Sequence, residues 1–292
     1  MIMPDQAKFT EQRHALGFIE AIPKPSEAEL QAHYNAKYYQ VPEGSYHSTY
    51  TEQELQYFHN IASVAHQVAK QNNLPRSLLD LGCGEGFFVN AFETFGWELA
   101  CCDYSDFGIS KHNPHLLPYF QQGSIEQSLT HYKGRTFGLI NLQNVLEHVL
   151  DPFETMAILK PLLSANSALR IKVPNDYSDF QLALQQQGYT DNTWFAPPEH
   201  LSYFNQENLT RFISACGYRL LSLQTNFPIE VFLTNAHSNY WQDRSLGKQA
   251  HFSRVFCENF LIGKNIDNYI RYAEASAALG FGRELIAYVT PE

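Results

Sequence analysis

Leu78-Leu79-Asp80-Leu81-Gly82-Cys83-Gly84-Glu85-Gly86-Phe87-Phe88 is the stretch on which the fold turns. Its first four residues read as a short apolar strand. Three alternate glycines at the carboxyl end of that strand allow a sharp turn into a helix and let the backbone approach a ligand closely. Asp103 stands seventeen positions beyond Gly86, at the end of the next apolar run. A carboxylate there can accept both hydroxyls of a ribose. A glycine turn followed by an acid on the next strand is the pattern of a nucleoside site in an α/β domain.

Working outward, residues 75–225 alternate strand and helix, which implies a parallel sheet. Strands are predicted at 77–81, 98–102, 119–121, 137–142, 168–173 and 218–225, with helices starting near Glu85, Ser105, Ser124 and Pro152 and another over 206–216. The alternation pauses at 176–204, an irregular segment on the substrate side. Residues 1–74 read as an N-terminal helical extension: Ser26 can cap a helix with Glu29 at its third position, and a second helix is predicted over 52–71. Residues 226–292 read as a helical insertion, with helices over 253–262 and 267–279, followed by a closing strand at 284–289 that is antiparallel if it completes the sheet.

Composition narrows the function. The net charge is −10 and no cluster of Lys and Arg occurs, which argues against nucleic acid as a partner. The five cysteines form no CxxC pair and no three-cysteine cluster, so zinc ribbons and iron–sulfur chemistry are not expected. Their odd number suits reduced thiols in the cytoplasm. No signal-peptide pattern and no membrane-spanning apolar run is found. The 17 Tyr and 21 Phe suit pockets for flat or sugar-like ligands as well as cores.

A dinucleotide site is the rival reading of the turn. The dehydrogenase fingerprint GxGxxG wants glycine where this chain has Phe87, and Glu85 would repel a pyrophosphate. A nucleoside without a pyrophosphate fits better, and an NAD-dependent oxidoreductase is disfavoured.

LLDLGCGEGFF (78–88) resembles the first motif of class I S-adenosylmethionine (SAM)-dependent methyltransferases, and CCDYS (101–105) the end of their second strand. FGLINLQNVLEHVLDP (137–152) is similar to their fourth-strand motif and LRIKVPN (169–175) to their fifth strand. PPEHLSYFNQENLTRFISACGYRLLS (197–222) resembles a subgroup linked to sugar, polysaccharide or lipid-head-group modification. The resemblance covers 75–225 and implies a Rossmann-like sheet with helices on both faces and SAM as cofactor, leaving S-adenosylhomocysteine. It also implies a small polar or sugar-linked acceptor methylated on O, N or C; a catalytically idle SAM-binding partner protein is the alternative. No membrane partner is expected, and self-association stays open.

Residue by residue, the resemblance implies that Asp80, Gly82, Cys83, Gly84 and Gly86 shape the methionine and ribose pocket. Asp103 matches the ribose-binding acid and Tyr104 the residue flanking adenine. Ser124 and Ile125 align with the segment touching the adenine edge, although the family usually carries Asp at the place of Ser124. Gln143 and Asn144 match positions beneath the methionine part of SAM.

Methyl transfer is an in-line displacement, so positioning supplies most of the catalysis, and a base is needed only where the acceptor must lose a proton. Glu147 and His148 follow the fourth strand at the edge where open α/β sheets bind ligands. They are read either as groups that orient or deprotonate the acceptor, or as struts of the pocket wall. Glu199-His200 follows two prolines and lies among Trp194, Phe195, Tyr203 and Phe204; His200 is the first choice for base. A comparable segment of the quinone-pathway O-methyltransferases helps bind a divalent ion, but an acid there is replaced here by Asn144, so no metal is expected. Tyr38, Tyr39, Tyr46 and Tyr50 are read as a lid or as packing. His112 and His115 lack an acidic partner nearby in sequence and are not expected to bind metal. Gly280-Phe281-Gly282-Arg283 suggests a cation aimed outward, toward an anionic acceptor or an acid.

Overall fold

The computed structural model describes residues 8–34 and 49–292. The described chain opens with a hairpin, β1 (Thr10–Arg13) and β2 (Ile19–Ile22), paired antiparallel. Helix α1 (Glu27–Tyr34) begins at the expected cap: Glu29 N–H donates to Ser26 Oγ at 3.3 Å, and Ser26 N–H to Glu29 Oε2 at 2.8 Å. Thr51 and Glu54 repeat this reciprocal arrangement at the start of α2 (Glu52–Gln71). Tyr38, Tyr39 and Tyr46 fall outside the described residues.

The alternating part follows as β3 (Ser77–Leu81), α3 (Phe87–Thr94), β4 (Glu98–Asp103), α4 (Phe107–His112), β5 (Phe120–Gln122), α5 (Ile125–His131), β6 (Phe137–Gln143), α6 (Pro152–Leu159) and β7 (Leu163–Pro174). Next come α7 (Asp179–Gln186), β8 (Ser202–Tyr203), α8 (Gln206–Ala215), β9 (Tyr218–Thr225), α9 (Gly247–Lys264), α10 (Ile266–Ala278) and β10 (Glu284–Pro291). The main sheet has seven strands in the order β5-β4-β3-β6-β7-β10-β9. Strands β5, β4, β3, β6 and β7 run parallel, and β10 inserts antiparallel between β7 and β9. The closing strand is therefore antiparallel, as expected, and the helical insertion α9–α10 feeds it.

The apolar runs of the strands are continuous because both faces of the sheet are covered. Leu78 joins one core cluster, with Leu139, Phe92 on α3, Val68 on α2 and Ala273 on α10. Its neighbour Leu79 points the other way, into a cluster with Met156 on α6 and Phe212 on α8. Each of these two leucines is 0% exposed, and such burial stabilises by about 1.5–3 kcal/mol per side chain.

Two features depart from the sequence reading. The N-terminal extension contains the β1–β2 hairpin as well as helices. The irregular segment holds α7 and β8, and β8 pairs with β2 through Ile19↔Tyr203 to make a second, three-stranded sheet. Neither hairpin strand exceeds four residues, and β1 is exposed throughout, so neither leaves a clear apolar period. Of the two readings left open for Arg283, the structure shows pairing with acids: its Nη1 lies 2.9 Å from Asp176 Oδ1 and 3.4 Å from Glu230 Oε1.

Candidate functional site

At the carboxyl ends of β3, β4, β6 and β7 the chain encloses a cavity of about 1390 Å³. Every residue singled out from the sequence as a cofactor contact or catalytic candidate lines it, including Ile125 on α5 and His200 from beyond β7. The cavity sits there because parallel strands end together at this edge and their loops diverge to opposite faces.

The glycine turn forms one wall. Gly82 has φ +74°, and a Cβ at that position would lie 2.8 Å from Val145 Cγ2. Only glycine satisfies both the left-handed backbone and the close approach of the loop after β6. Gly108, at the start of α4, packs against the same turn, where a Cβ would stand 2.9 Å from Gly84 O. Glu85 remains in the turn, and α3 begins at Phe87 rather than at Glu85. Tyr50 O–H donates to Glu85 Oε2 at 2.6 Å, and His112 Nε2 lies 3.3 Å from Glu85 Oε1. His112 thus has an acidic partner distant in sequence. His115 turns elsewhere, to Glu93 at 3.3 Å, so the HxxH pair does not converge on one site.

Asp103 ends β4 and is 8% exposed. Its Oδ2 accepts Gly84 N–H at 2.9 Å and its Oδ1 accepts Ser105 N–H at 3.3 Å, which lock the carboxylate against the turn. Burial raises its pKa, opposed by these backbone donors. Tyr104 N–H is a further backbone donor to this carboxylate, whose remaining acceptor capacity lines the cavity. Ser124 Oγ accepts Gln127 N–H at 3.2 Å at the start of α5, and Ile125 and Tyr104 add apolar surface beside Asp103.

The floor carries a buried polar chain. Arg170 on β7, 1% exposed, donates from Nη1 to Asn141 Oδ1 at 2.7 Å and to Gln143 Oε1 at 3.1 Å. Asn141 in turn donates to Asp80 Oδ1 at 2.7 Å. Burial pushes the Asp80 carboxyl up to about 7, against the Asn141 hydrogen bond and the Arg170 charge that favour its ionised form. Asn144, at φ +54°, turns the chain out of β6.

The far wall unites two segments distant in sequence. Leu201 N–H donates to Glu147 O at 2.8 Å and Ser202 N–H to the same oxygen at 3.2 Å, tying the loop before β8 to the loop after β6. Tyr203 O–H donates to His200 O at 2.7 Å and accepts Ala196 N–H at 3.0 Å, which fixes the backbone of His200. The His148 and His200 rings lie 4.7 Å apart at 81°. His148 Nδ1 is 2.6 Å from Glu199 O, and since a carbonyl cannot donate, this nitrogen carries the proton. Glu147 is 2% exposed; burial pushes its carboxyl up to about 8.

Sequence reasoning missed the ion pair of Lys172 and Glu284, 2.7 Å apart in the cavity, because the strands that carry them meet only in the folded sheet. It also missed the contributions of Glu27, Leu30, Tyr57 and Phe58 from α1 and α2, whose approach no local pattern records. Nine carboxylates line the cavity against a single lysine, Lys172, among the described residues. A pyrophosphate would meet like charge there. A sulfonium nucleoside would not: the glycine cradle, the Asp103 carboxylate beside it and the acidic lining all fit SAM.

A sequence model of a methyltransferase domain matches residues 50–223. No curated protein sequence matches the chain. Among solved structures, the chain is similar to DhpI in its complex with SAM and HEP, at 15% identity over 92% of this chain and 100% of that one, with a TM-score of 0.50. A SAM-dependent methyltransferase from Archaeoglobus fulgidus aligns at 18% identity over 80% of this chain and 93% of its own, TM-score 0.49. The plantazolicin methyltransferase BamL, solved with a triazolic desmethylPZN analog and SAH, aligns at 13% identity over 91% of each chain, TM-score 0.47. No helix among the described residues is long and apolar enough to cross a membrane.

Proposed function

The chain belongs to the methyltransferase-domain family, and from that premise we propose that it moves the methyl group of SAM to a small polar or sugar-linked acceptor. The observation that carries the reading is Asp103, a buried carboxylate pinned against the glycine turn with its remaining acceptor capacity lining the cavity, where a ribose would sit. SAM supplies an electrophilic methyl carbon on a positively charged sulfur. The protein supplies the rest: the turn from Gly82 to Gly86 bounds the methionine end, Asp103 receives the ribose, and Tyr104, Ser124 and Ile125 border the adenine. Gln143, held by Arg170, and Asn144 lie beneath the methionine part.

The acceptor enters on the side of Glu147, His148 and His200. As the acceptor's O, N or C bonds to the methyl carbon, the sulfur–carbon bond breaks, and the acceptor's proton is taken up at this cluster, with His200 as the base. The absence of any lysine or arginine but Lys172 from the cavity lining, among the described residues, supports a neutral or cationic acceptor over one bearing a phosphate. Cytoplasmic residence belongs to the same reading, and neither nucleic acid nor membrane takes part.

The test is a mass-shift screen of cell extract with SAM and purified protein, repeated with His200→Ala. A gain of one methyl in a small metabolite with the wild type, reduced about 10²–10⁴-fold by His200→Ala with SAM affinity kept, supports the reading. Full activity in the variant removes His200 as base. An absence of SAM binding in the wild type refutes the whole assignment.

A further inference from the structure

From the convergence of Glu147, His148 and His200 we propose that this end of the cavity is a binding site for one divalent transition-metal ion, of the zinc, cobalt or iron type. The ligand atoms of the three residues all lie within 4.8 Å of one another. Two come from the loop after β6 and one from the loop before β8, so the donor set exists only in the folded chain. It does not depend on the position of Asn144, on which the sequence expectation of no metal was based.

Two independent features point to an ion rather than to packing alone. First, Glu147 is 2% exposed and its Oε2 has no hydrogen-bond partner among the described residues. A buried carboxylate oxygen is costly unless a donor or cation satisfies it. Glu147's own backbone N–H donates to the carboxylate but leaves Oε2 unsatisfied, and His148 Nε2, at 3.8 Å from Oε1, is too far to hydrogen-bond and on the other oxygen. Second, His148 is held as metal-binding histidines are held. Its Nδ1–H points to Glu199 O at 2.6 Å, which fixes the ring and turns the Nε2 edge toward Glu147. Tyr203, through His200 O, and the paired N–H groups of Leu201 and Ser202, through Glu147 O, hold the other two ligands by their backbones.

The donor chemistry selects the ion. Two imidazoles and one carboxylate suit Zn²⁺, Co²⁺ or Fe²⁺, whereas Mg²⁺ and Ca²⁺ favour oxygen ligands throughout. Three protein ligands leave a position open, the arrangement of a reactive rather than a structural site. Tetrahedral ligands at about 2.1 Å stand roughly 3.4 Å apart. Closing from a widest separation of 4.8 Å therefore takes side-chain movement of about 1.4 Å.

The proposal rests on the methyltransferase reading only for its consequence. With the ion in place, His200 is a ligand and no longer the direct base. Such an ion would lower the pKa of a hydroxyl acceptor at the open position, so that its proton would pass to water and, as its oxygen bonds to the methyl carbon, the sulfur–carbon bond would break and release S-adenosylhomocysteine.

The test needs neither SAM nor acceptor. The full chain is stripped with a chelator, dialysed and titrated with Co²⁺, following visible absorbance and heat. One Co²⁺ per chain with micromolar or tighter affinity and the absorbance of a four- or five-coordinate site is expected. His148→Ala and His200→Ala should each weaken it at least tenfold, His115→Ala should leave it unchanged, and SAM titration of each variant reports whether the fold survives. Should an alanine variant fail to fold, His148→Gln and His200→Gln repeat the measurement at nearly constant volume. No stoichiometric binding by the wild type, or binding that survives both histidine substitutions, overturns the proposal. Failure of the wild type to bind SAM would instead sink the methyltransferase reading and leave the Co²⁺ result standing, so the two are separable.

Discussion

Replacing Asp103 by alanine should weaken SAM binding without unfolding the protein. Asp103 accepts Gly84 N–H at 2.9 Å and Ser105 N–H at 3.3 Å, with Tyr104 N–H as a further backbone donor, and its remaining acceptor capacity lines the cavity. That capacity would go to the ribose hydroxyls, and losing it costs about 1–3 kcal/mol of binding. That corresponds to roughly 5- to 150-fold in dissociation constant. Stability should respond differently. Loss of the Gly84 bond costs about 1 kcal/mol, but the variant no longer buries a carboxylate whose ionisation burial already disfavours. These effects oppose each other, so the melting midpoint should move little while affinity falls. Asp103→Asn retains one acceptor oxygen but turns an amide donor toward the turn, and should lie between wild type and Asp103→Ala. The assay is calorimetric titration of SAM into the three proteins, with NAD as control and a thermal melt of each. Unchanged SAM affinity in a well-folded Asp103→Ala protein, or tight NAD binding with no SAM signal, would refute the reasoning.

Two further outcomes follow from the same wall and floor. Gly82→Ala forces a side chain into a left-handed backbone at φ +74° and to within 2.8 Å of Val145 Cγ2; it should destabilise by about 1–3 kcal/mol, and an unchanged thermal midpoint would show that the turn is not constrained as described. Asp80, raised from 3.8 to about 7, binds its proton more tightly folded than unfolded. Its contribution is therefore greatest below pH 4 and declines as pH rises toward 7, by at most a few kcal/mol. Asp80→Asn should flatten that part of the stability–pH curve, and an identical slope in wild type and variant would count against a buried, ionising Asp80.

Much of the site was legible locally because its parts obey short-range rules. The glycine turn follows its strand directly, and the cap at Ser26 and the helix over 52–71 are each specified by residues three or four apart. Sequence order also placed Asp103 on the strand next to the turn, since consecutive parallel strands connected by one helix lie side by side. Less was legible where few residues carry the signal. The β1–β2 hairpin and β8 are strands of two to four residues that pair only with each other. For Arg283 the sequence left an anionic acceptor and an acid as alternatives, and its partners Asp176 and Glu230 are more than fifty positions away.

The sequence by itself determined the class of the protein: an alternating α/β chain whose first glycine turn, Phe87 and second-strand acid suit a nucleoside lacking a pyrophosphate. Those are properties of neighbouring residues and of strand order. The tertiary structure decided what stands opposite that turn. Glu147 and His148 meet His200 because Leu201 and Ser202 donate to Glu147 O, a contact across more than fifty positions that no periodicity encodes. Lys172 meets Glu284 because an antiparallel strand closes the sheet beside β7. Local chemistry thus named the glycine-turn side of the cavity, whereas the opposite side is made by long-range hydrogen bonds and sheet pairing, whose geometry exists only once the chain has folded.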